Sequence, residues 1–246
     1  EPASIRIAEP VAALRDALHA DFGVTVFEDG AHAIEGAATW VLATKPQVLR
    51  SVCESLAVQA QAQRPLVVSI AAGITAVQLE RWLGGDIAVV RSMPNTPALL
   101  GAGVTGLYAG EKVDAAGRTF AEALLSAAGK TVWIQDEALM DAVTAVSGSG
   151  PAYVFLLAEA MIDAGIAEGL PPDAARVLAI QTVLGAARML DASDVDAAEL
   201  RRRVTSPNGT TQAAVEHFEA GGLRTLVASA IHAARVRGAE LSAAND

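Results

Sequence analysis

Several short polar motifs hold the residue types from which a ligand site could be built. Thr205-Ser-Pro-Asn-Gly-Thr-Thr211 and Ser147-Gly-Ser-Gly-Pro151 each end one apolar stretch and open another. Small residues and free amides at a helix start favour an anion such as a carboxylate. Taken singly, plain capping is the stronger reading of each. Ser92-Met-Pro-Asn-Thr-Pro97 is a stiff loop in which Asn95 and Thr96 can offer an amide and a hydroxyl to a ligand. An ordinary Asx turn has the same spacing. Ala43-Thr-Lys-Pro46 and Ser69-Ile-Ala-Ala-Gly73 each follow a β-type apolar run, where a doubly wound sheet presents its carboxyl edge to ligands. Backbone and Lys45 can line a cleft there, or the segment is a strand-ending turn with a solvated lysine.

Other chemistries lack their residues. The four histidines, His19, His32, His217 and His232, fall in helical stretches outside every motif, and the single cysteine is Cys53. No structural metal site follows from such a set, and no serine-histidine-aspartate elbow is present. Hydride transfer needs neither, because the cofactor supplies the reactive atom and the protein supplies position. Gly101-Ala-Gly-Val-Thr-Gly106 matches the dinucleotide fingerprint literally. It lacks the preceding strand and following helix that give the fingerprint its physics, and reads as a glycine-rich crossing loop.

The elements that must position these motifs fall into two halves. Up to about Gln135, β-rich runs at 5–9, 23–27, 39–43, 66–70, 87–90, 103–108 and 130–134 alternate with helical stretches at 11–21, 47–61, 75–83 and 113–128. Alternation of this kind predicts a parallel, doubly covered sheet. The first strand ends in Glu9, as a second strand of a nucleotide-binding unit would, with an acid at the ribose position. From Ala138 only apolar helices are predicted, at 138–146, 151–168, 174–190, 197–204, 212–220 and 223–241. The stretch Val177–Ala187 is apolar almost all round and requires a core or a subunit interface. The expected division is residues 1–135, a Rossmann-like α/β domain, and 136–246, an all-α domain that dimerises.

Composition narrows the function further. The chain of 246 residues is 52% hydrophobic and 19% charged, enough to bury a core, with a net charge of −10. An acidic balance, pI near 4.9, argues against nucleic acid and anionic membranes as partners. The mean hydropathy of +0.36 asks for shared apolar surface or a membrane span. The longest uncharged run, Ser92–Gly110, holds two prolines and four glycines and is no spanning helix. With one cysteine and no visible signal peptide, a reducing cytoplasm is expected.

Together, Leu42-Ala-Thr-Lys-Pro-Gln47, Val68-Ser-Ile-Ala-Ala-Gly-Ile74, Arg91-Ser-Met-Pro-Asn-Thr-Pro97, Met140-Asp-Ala-Val-Thr-Ala-Val-Ser-Gly-Ser-Gly-Pro-Ala-Tyr153 and Arg203-Val-Thr-Ser-Pro-Asn-Gly-Thr-Thr211 resemble pyrroline-5-carboxylate reductases, in the family's order and over essentially the whole chain. The resemblance implies reduction of 1-pyrroline-5-carboxylate to L-proline, the last step of proline biosynthesis, with NADP(H) or NAD(H), no metal, and a homodimer that can assemble further. It implies Thr211 as the residue whose hydroxyl hydrogen-bonds the substrate ring nitrogen. Ser206, Pro207, Asn208, Gly209 and Thr210 would hold the substrate carboxylate through their backbone, with Asp194 nearby. Glu9, Ala43, Thr44, Lys45, Pro46, Ala72, Asn95 and Glu137 would line the cofactor.

The sequence departs from the family at three places. The family's first strand and glycine-rich loop have no match ahead of Ile5. Gly30 stands where asparagine is common, and Thr44 where a small apolar residue is usual. Two rival readings remain. A β-hydroxyacid-type dehydrogenase would need a lysine in the helical half, and Lys130 is the last lysine. A non-catalytic helical dimer would bind neither NADH nor NADPH.

Overall fold

A computed structural model describes residues 2–244. The backbone forms two compact units. One runs to Gly148 and takes in the residues from Arg235 onward; the other is Ser149–Ala234.

In the first unit, all seven sequence-predicted strands form: β1 (Arg6–Ala8), β2 (Thr25–Phe27), β3 (Thr39–Leu42), β4 (Leu66–Ser69), β5 (Ala88–Met93), β6 (Gly103–Ala109) and β7 (Gly129–Trp133). Between them lie α1 (Ala12–Phe22), α2 (Gly30–Ala33), α3 (Pro46–Gln63), α4 (Ala76–Trp82) and α5 (Ala115–Ser126). The wholly parallel sheet expected from the alternation is corrected in two respects. β1 and β2 form their own parallel pair, apart from a five-stranded sheet ordered β3-β4-β5-β6-β7. Within that sheet β6 runs antiparallel to β5, Val90 facing Ala109 and Met93 facing Gly106. Only a short loop joins these two strands, and a parallel return needs a crossover of a dozen or more residues.

The sheet is covered on both faces, and its period-two alternation sorts the core. Val67 and Val89 pack with Leu49, Cys53, Leu56, Leu79 and Leu83 from α3, α4 and the turn after it. Their chain neighbours Val68 and Val90 point the other way, toward Leu107, Val113 and Ala121. Each fully buried Leu or Val contributes about 1.5–3 kcal/mol of burial.

The helix predicted at 138–146 is also corrected. A 3₁₀ turn at Glu137–Leu139 leads into α6 (Met140–Val143), and a π-helical turn follows at Thr144–Gly148. Thr144 and Ser147 donate their hydroxyls to the carbonyls of Met140 (3.0 Å) and Val143 (2.9 Å), four residues back. Such back-bonding competes with the regular helix ladder. Met93 packs so close to Gly148 that its Cε would lie 2.6 Å from any added Cβ.

The second unit is helical: α7 (Gly150–Ala167), α8 (Pro172–Asp191), α9 (Ala197–Arg203), α10 (Thr210–Ala220) and most of α11 (Leu223–Ala243), whose last turns belong to the first unit. Gly169, at φ +98°, ends the turn after α7 in a conformation that favours glycine. α7 buries no residue and α8 only Ala175 and Ala179. Phe155, Leu156 and Val177 are 67%, 65% and 65% exposed in the single chain. By length and composition alone, Glu137–Ala167 could cross a membrane. A search for uncharged runs misses it because Asp141, Glu159 and Asp163 interrupt the stretch.

Candidate active site

The two units each hold part of the predicted site. In the first, β3 stops at Leu42, and Ala43, Thr44 and Lys45 lie exposed at its carboxyl end. α3 begins at once with Pro46, whose fixed φ suits the first helical turn. No side chain caps it; Pro46 has no N–H and Val48 N donates to Lys45 O at 3.1 Å, so the Gln47 amide is the one left at the head for a ligand. At the end of β4, Ala72 is half-buried beside Gly73, which has φ +70°. A Cβ on Gly73 would be strained and would meet Leu241 at 3.4 Å.

The head of α4 is closed instead. Thr75 and Gln78 form a reciprocal capping box, and Glu137 Oε1 accepts the Ala76 N–H at 2.6 Å. The same oxygen lies 3.3 Å from Nη1 of Arg91, a nearly fully buried guanidinium on β5 that also faces Asp141 Oδ1 at 3.7 Å. Tyr108, opposite Arg91 on β6, has its hydroxyl pKa raised, first by burial and then by the Glu137 charge. Glu137 therefore joins the head of α4 to the sheet. Asn95 is similarly engaged: its Nδ2 donates to Ser147 O (3.1 Å) and its Oδ1 accepts from Val104 N (3.0 Å). The Asn95 amide and Glu137 Oε1 thus both have partners within the scaffold.

Glu9 closes β1. Its N–H continues the ladder to Phe27 O at 3.0 Å, and its Oε1 accepts from Val11 N at 2.8 Å. Arg15 turns Nη1 onto the carbonyls of Glu9 (2.7 Å) and Pro10 (2.9 Å). Sequence reasoning passed over Arg15 and Arg91. A charged residue ending the apolar run Ile87–Val90 was the available sign of the latter.

In the helical unit, the Ser206–Thr211 segment forms a turn and a helix start. Gly209 N donates to Ser206 O at 3.0 Å, with Asn208 in the left-handed region at φ +58°, which asparagine tolerates. The Gln212 side chain reaches back and accepts the Asn208 N–H at 2.6 Å. Pro207 has no N–H, so of the predicted carboxylate-binding stretch the amides of Asn208 and Gly209 are occupied. Thr210 and Thr211 keep theirs, at the first two positions of α10, where no side chain caps. Thr211 is exposed, and its hydroxyl has no partner among the described residues. Asp194 is exposed in the connection between α8 and α9. Gln212 was missed although it stands three residues after Gly209 at the helix start, the position from which glutamine side chains reach back in a capping box.

Residues 137–241 match the family described as pyrroline-5-carboxylate reductase dimerisation, and residues 2–73 one described as NADP oxidoreductase, coenzyme F420-dependent. The pyrroline-5-carboxylate reductase of Pseudomonas aeruginosa is 52% identical over 240 residues, which are 98% of this chain and 88% of that protein. A pyrroline-5-carboxylate reductase structure from Coxiella burnetii superposes with TM-score 0.94 at 40% identity, covering 98% of this chain and 90% of that one. The Plasmodium falciparum pyrroline carboxylate reductase, solved with NADP bound, gives TM-score 0.80 at 28% identity, over 89% and 82% of the two chains. With a short-bonded scaffold, two uncapped helix heads and a relative of this identity over nearly its whole length, the chain belongs to the pyrroline-5-carboxylate reductase family.

Proposed function

We infer that this protein reduces 1-pyrroline-5-carboxylate to L-proline by hydride transfer from NAD(P)H, acting as a homodimer. The residues at the strand ends fit a dinucleotide: an acid at the end of β1 for a ribose hydroxyl, small exposed residues after β3, and an uncapped α3 head for phosphate. Glu9, Ala43, Thr44, Lys45, Pro46 and Ala72 would hold it. When bound, the reduced nicotinamide supplies the hydride that the imine carbon takes up.

The observation that carries the substrate half is the head of α10, where two free amides stand beside an unengaged hydroxyl. The amides of Thr210 and Thr211 hold the carboxylate, helped by the positive end of the helix. Thr211 donates its hydroxyl hydrogen to the ring nitrogen and orients it for protonation, while Asp194 stands on the neighbouring connection. Fixing the two rings face to face is the main catalytic contribution, through proximity and orientation. Asn95 and Glu137 shape the site by holding the Ser147 turn and the head of α4.

The apolar faces of α7 and α8 meet a second copy, which accounts for them without a membrane, and the dimers can assemble into a higher homo-oligomer. A net charge of −10 leaves nucleic acid and anionic lipid without attraction. The setting that suits a lone buried cysteine is the cytoplasm. Purified protein should consume NADH or NADPH only when pyrroline-5-carboxylate is present. No substrate-dependent loss of absorbance at saturating nucleotide would overturn the assignment.

A further inference from the structure

We propose that Gln78 is a positioning residue for the reaction: it fastens the last turn of α11 behind the turn that follows β4. The proposal rests on the dinucleotide reading above, in which Ala72 of that turn lines the cofactor. All the residues concerned belong to the first unit.

The conformation of the turn is set by what lies behind it. Ala71 and Ile74 are buried, and Ala72 between them is half-buried. At Gly73 the backbone of α11 comes close, and an added Cβ would lie 3.4 Å from Leu241 Cβ and 3.6 Å from Ser242 N.

α11 reaches this region with one face. Gly238, Leu241 and Ser242 are spaced i, i+3 and i+4, which puts them on the same side of a helix. Gly238 packs on Asp141, whose Oδ1 would lie 3.2 Å from an added Cβ. That oxygen faces Arg91, and Arg91 pairs with the Glu137 carboxylate that accepts the Ala76 N–H. Ser242 O is among the last carbonyls of α11, which find no partner inside their own helix. Gln78 is its partner, donating through Nε2 at 3.1 Å across 164 residues of sequence. The same side chain, 3% exposed, accepts the Thr75 N–H through Oε1 at 2.8 Å. One end of the amide caps α4 and the other fastens α11.

Without the second bond the end of α11 frays and the Gly73 turn loses its backing. Nucleotide binding must then order the turn, at a cost in affinity. A turn in its binding conformation only a fifth of the time binds about fivefold more weakly. Once the cofactor is in place the geometry is restored, so the hydride step keeps its rate.

The test compares Gln78→Glu, Gln78→Met and Thr75→Ala with the native protein. Ionised glutamate keeps the acceptor for Thr75 N and cannot donate to Ser242 O; methionine removes both bonds. Thr75→Ala weakens the α4 cap and leaves the bond to α11. Nucleotide Kd is read by fluorescence, KM and kcat with saturating pyrroline-5-carboxylate, and stability by melting temperature. For whichever of NADH and NADPH the native protein binds more tightly, Kd and KM should rise at least about fivefold in both Gln78 variants. Their kcat at saturating nucleotide should stay within about twofold of native. Thr75→Ala should melt lower and keep its nucleotide KM within about twofold. An unmoved KM in both Gln78 variants, or an equal rise in Thr75→Ala, makes Gln78 a helix cap alone; it overturns the proposal and leaves the reductase assignment standing. Failure of the native protein to bind either nucleotide overturns the dinucleotide reading itself.

Discussion

The α/β unit and the helical unit use apolar residues in opposite ways. In the first, Leu49, Val67, Leu79 and Val90 are fully buried within the chain, between a sheet and the helices on its faces. In the second, α7 carries a long apolar sequence and buries none of it. A helix apolar over most of its surface states that burial is required, not that its own chain provides it. The dimerisation family matched over 137–241 takes in both α7 and α8 and supports a homodimer, so a second copy is the cover we propose for them. One unit is stabilised by its own core, the other by association.

The largest effect should come from breaking that association. Replacing Phe155 and Leu156 together by Glu should abolish the folded dimer, since interfaces of this kind bury more than about 2,000 Å² and tolerate no unpaired charge at their centre. Val58→Glu, at an 80%-exposed position on α3, should leave it intact. Light scattering reads both, and a stable folded monomer of native sequence at micromolar concentration would undo the contrast. The native melting temperature should also rise with protein concentration.

Next comes the self-contained core. Leu79→Ala should cost about 2–5 kcal/mol through lost burial and the cavity left behind, seen as a lower melting temperature. Cys53 reports on the same core. Burial pushes its thiol pKa up to about 12, so at pH 8 only about one molecule in ten thousand is thiolate. Iodoacetamide should label the native protein very slowly and Leu79→Ala faster. Rapid labelling of the native chain would show that this core is open.

Thr211→Val removes a hydroxyl and keeps the shape. The expected loss is about 1.5–3 kcal/mol, roughly 10- to 200-fold in kcat/KM, mostly in kcat. A variant that melts several degrees lower yet turns over normally would make Thr211 a structural helix residue instead. The smallest effect compares two helix heads. Thr75→Ala dismantles the capping box of α4 and should cost about 1 kcal/mol. Lys45→Ala, at the uncapped head of α3, should change stability by less than about 0.5 kcal/mol. Equal costs would mean that α3 is capped after all.

Much of the fold was legible along the chain. Continuous apolar runs such as Leu66–Ser69 and Ala88–Val90 mark strands because side chains there face opposite covered surfaces. Gly169 with Pro171 and Pro172 marks the break between α7 and α8. The motif blocks identified the family and named Thr211. The site was less legible where long-range partners decide it. Asn95 and Glu137 carry polar side chains whose scaffold partners, 52 and 61 residues away at Ser147 and Ala76, no local pattern names.

Sequence by itself determined the seven strands, the longer helices though not the short α2, the need to cover an apolar helix and the residues that could do chemistry, because each follows from local periodicity, turn chemistry or residue type. Tertiary structure alone decided that β6 runs against β5, that Thr144–Gly148 winds as a π turn, and that Glu9 Oε1 accepts the Val11 N–H just ahead of α1. It also decided that, of the Asn208–Thr211 amides, those of Thr210 and Thr211 stay open. The reason is the same in each case. A backbone or side-chain polar group is defined by the partner that satisfies it, and a sequence names the group without naming the partner.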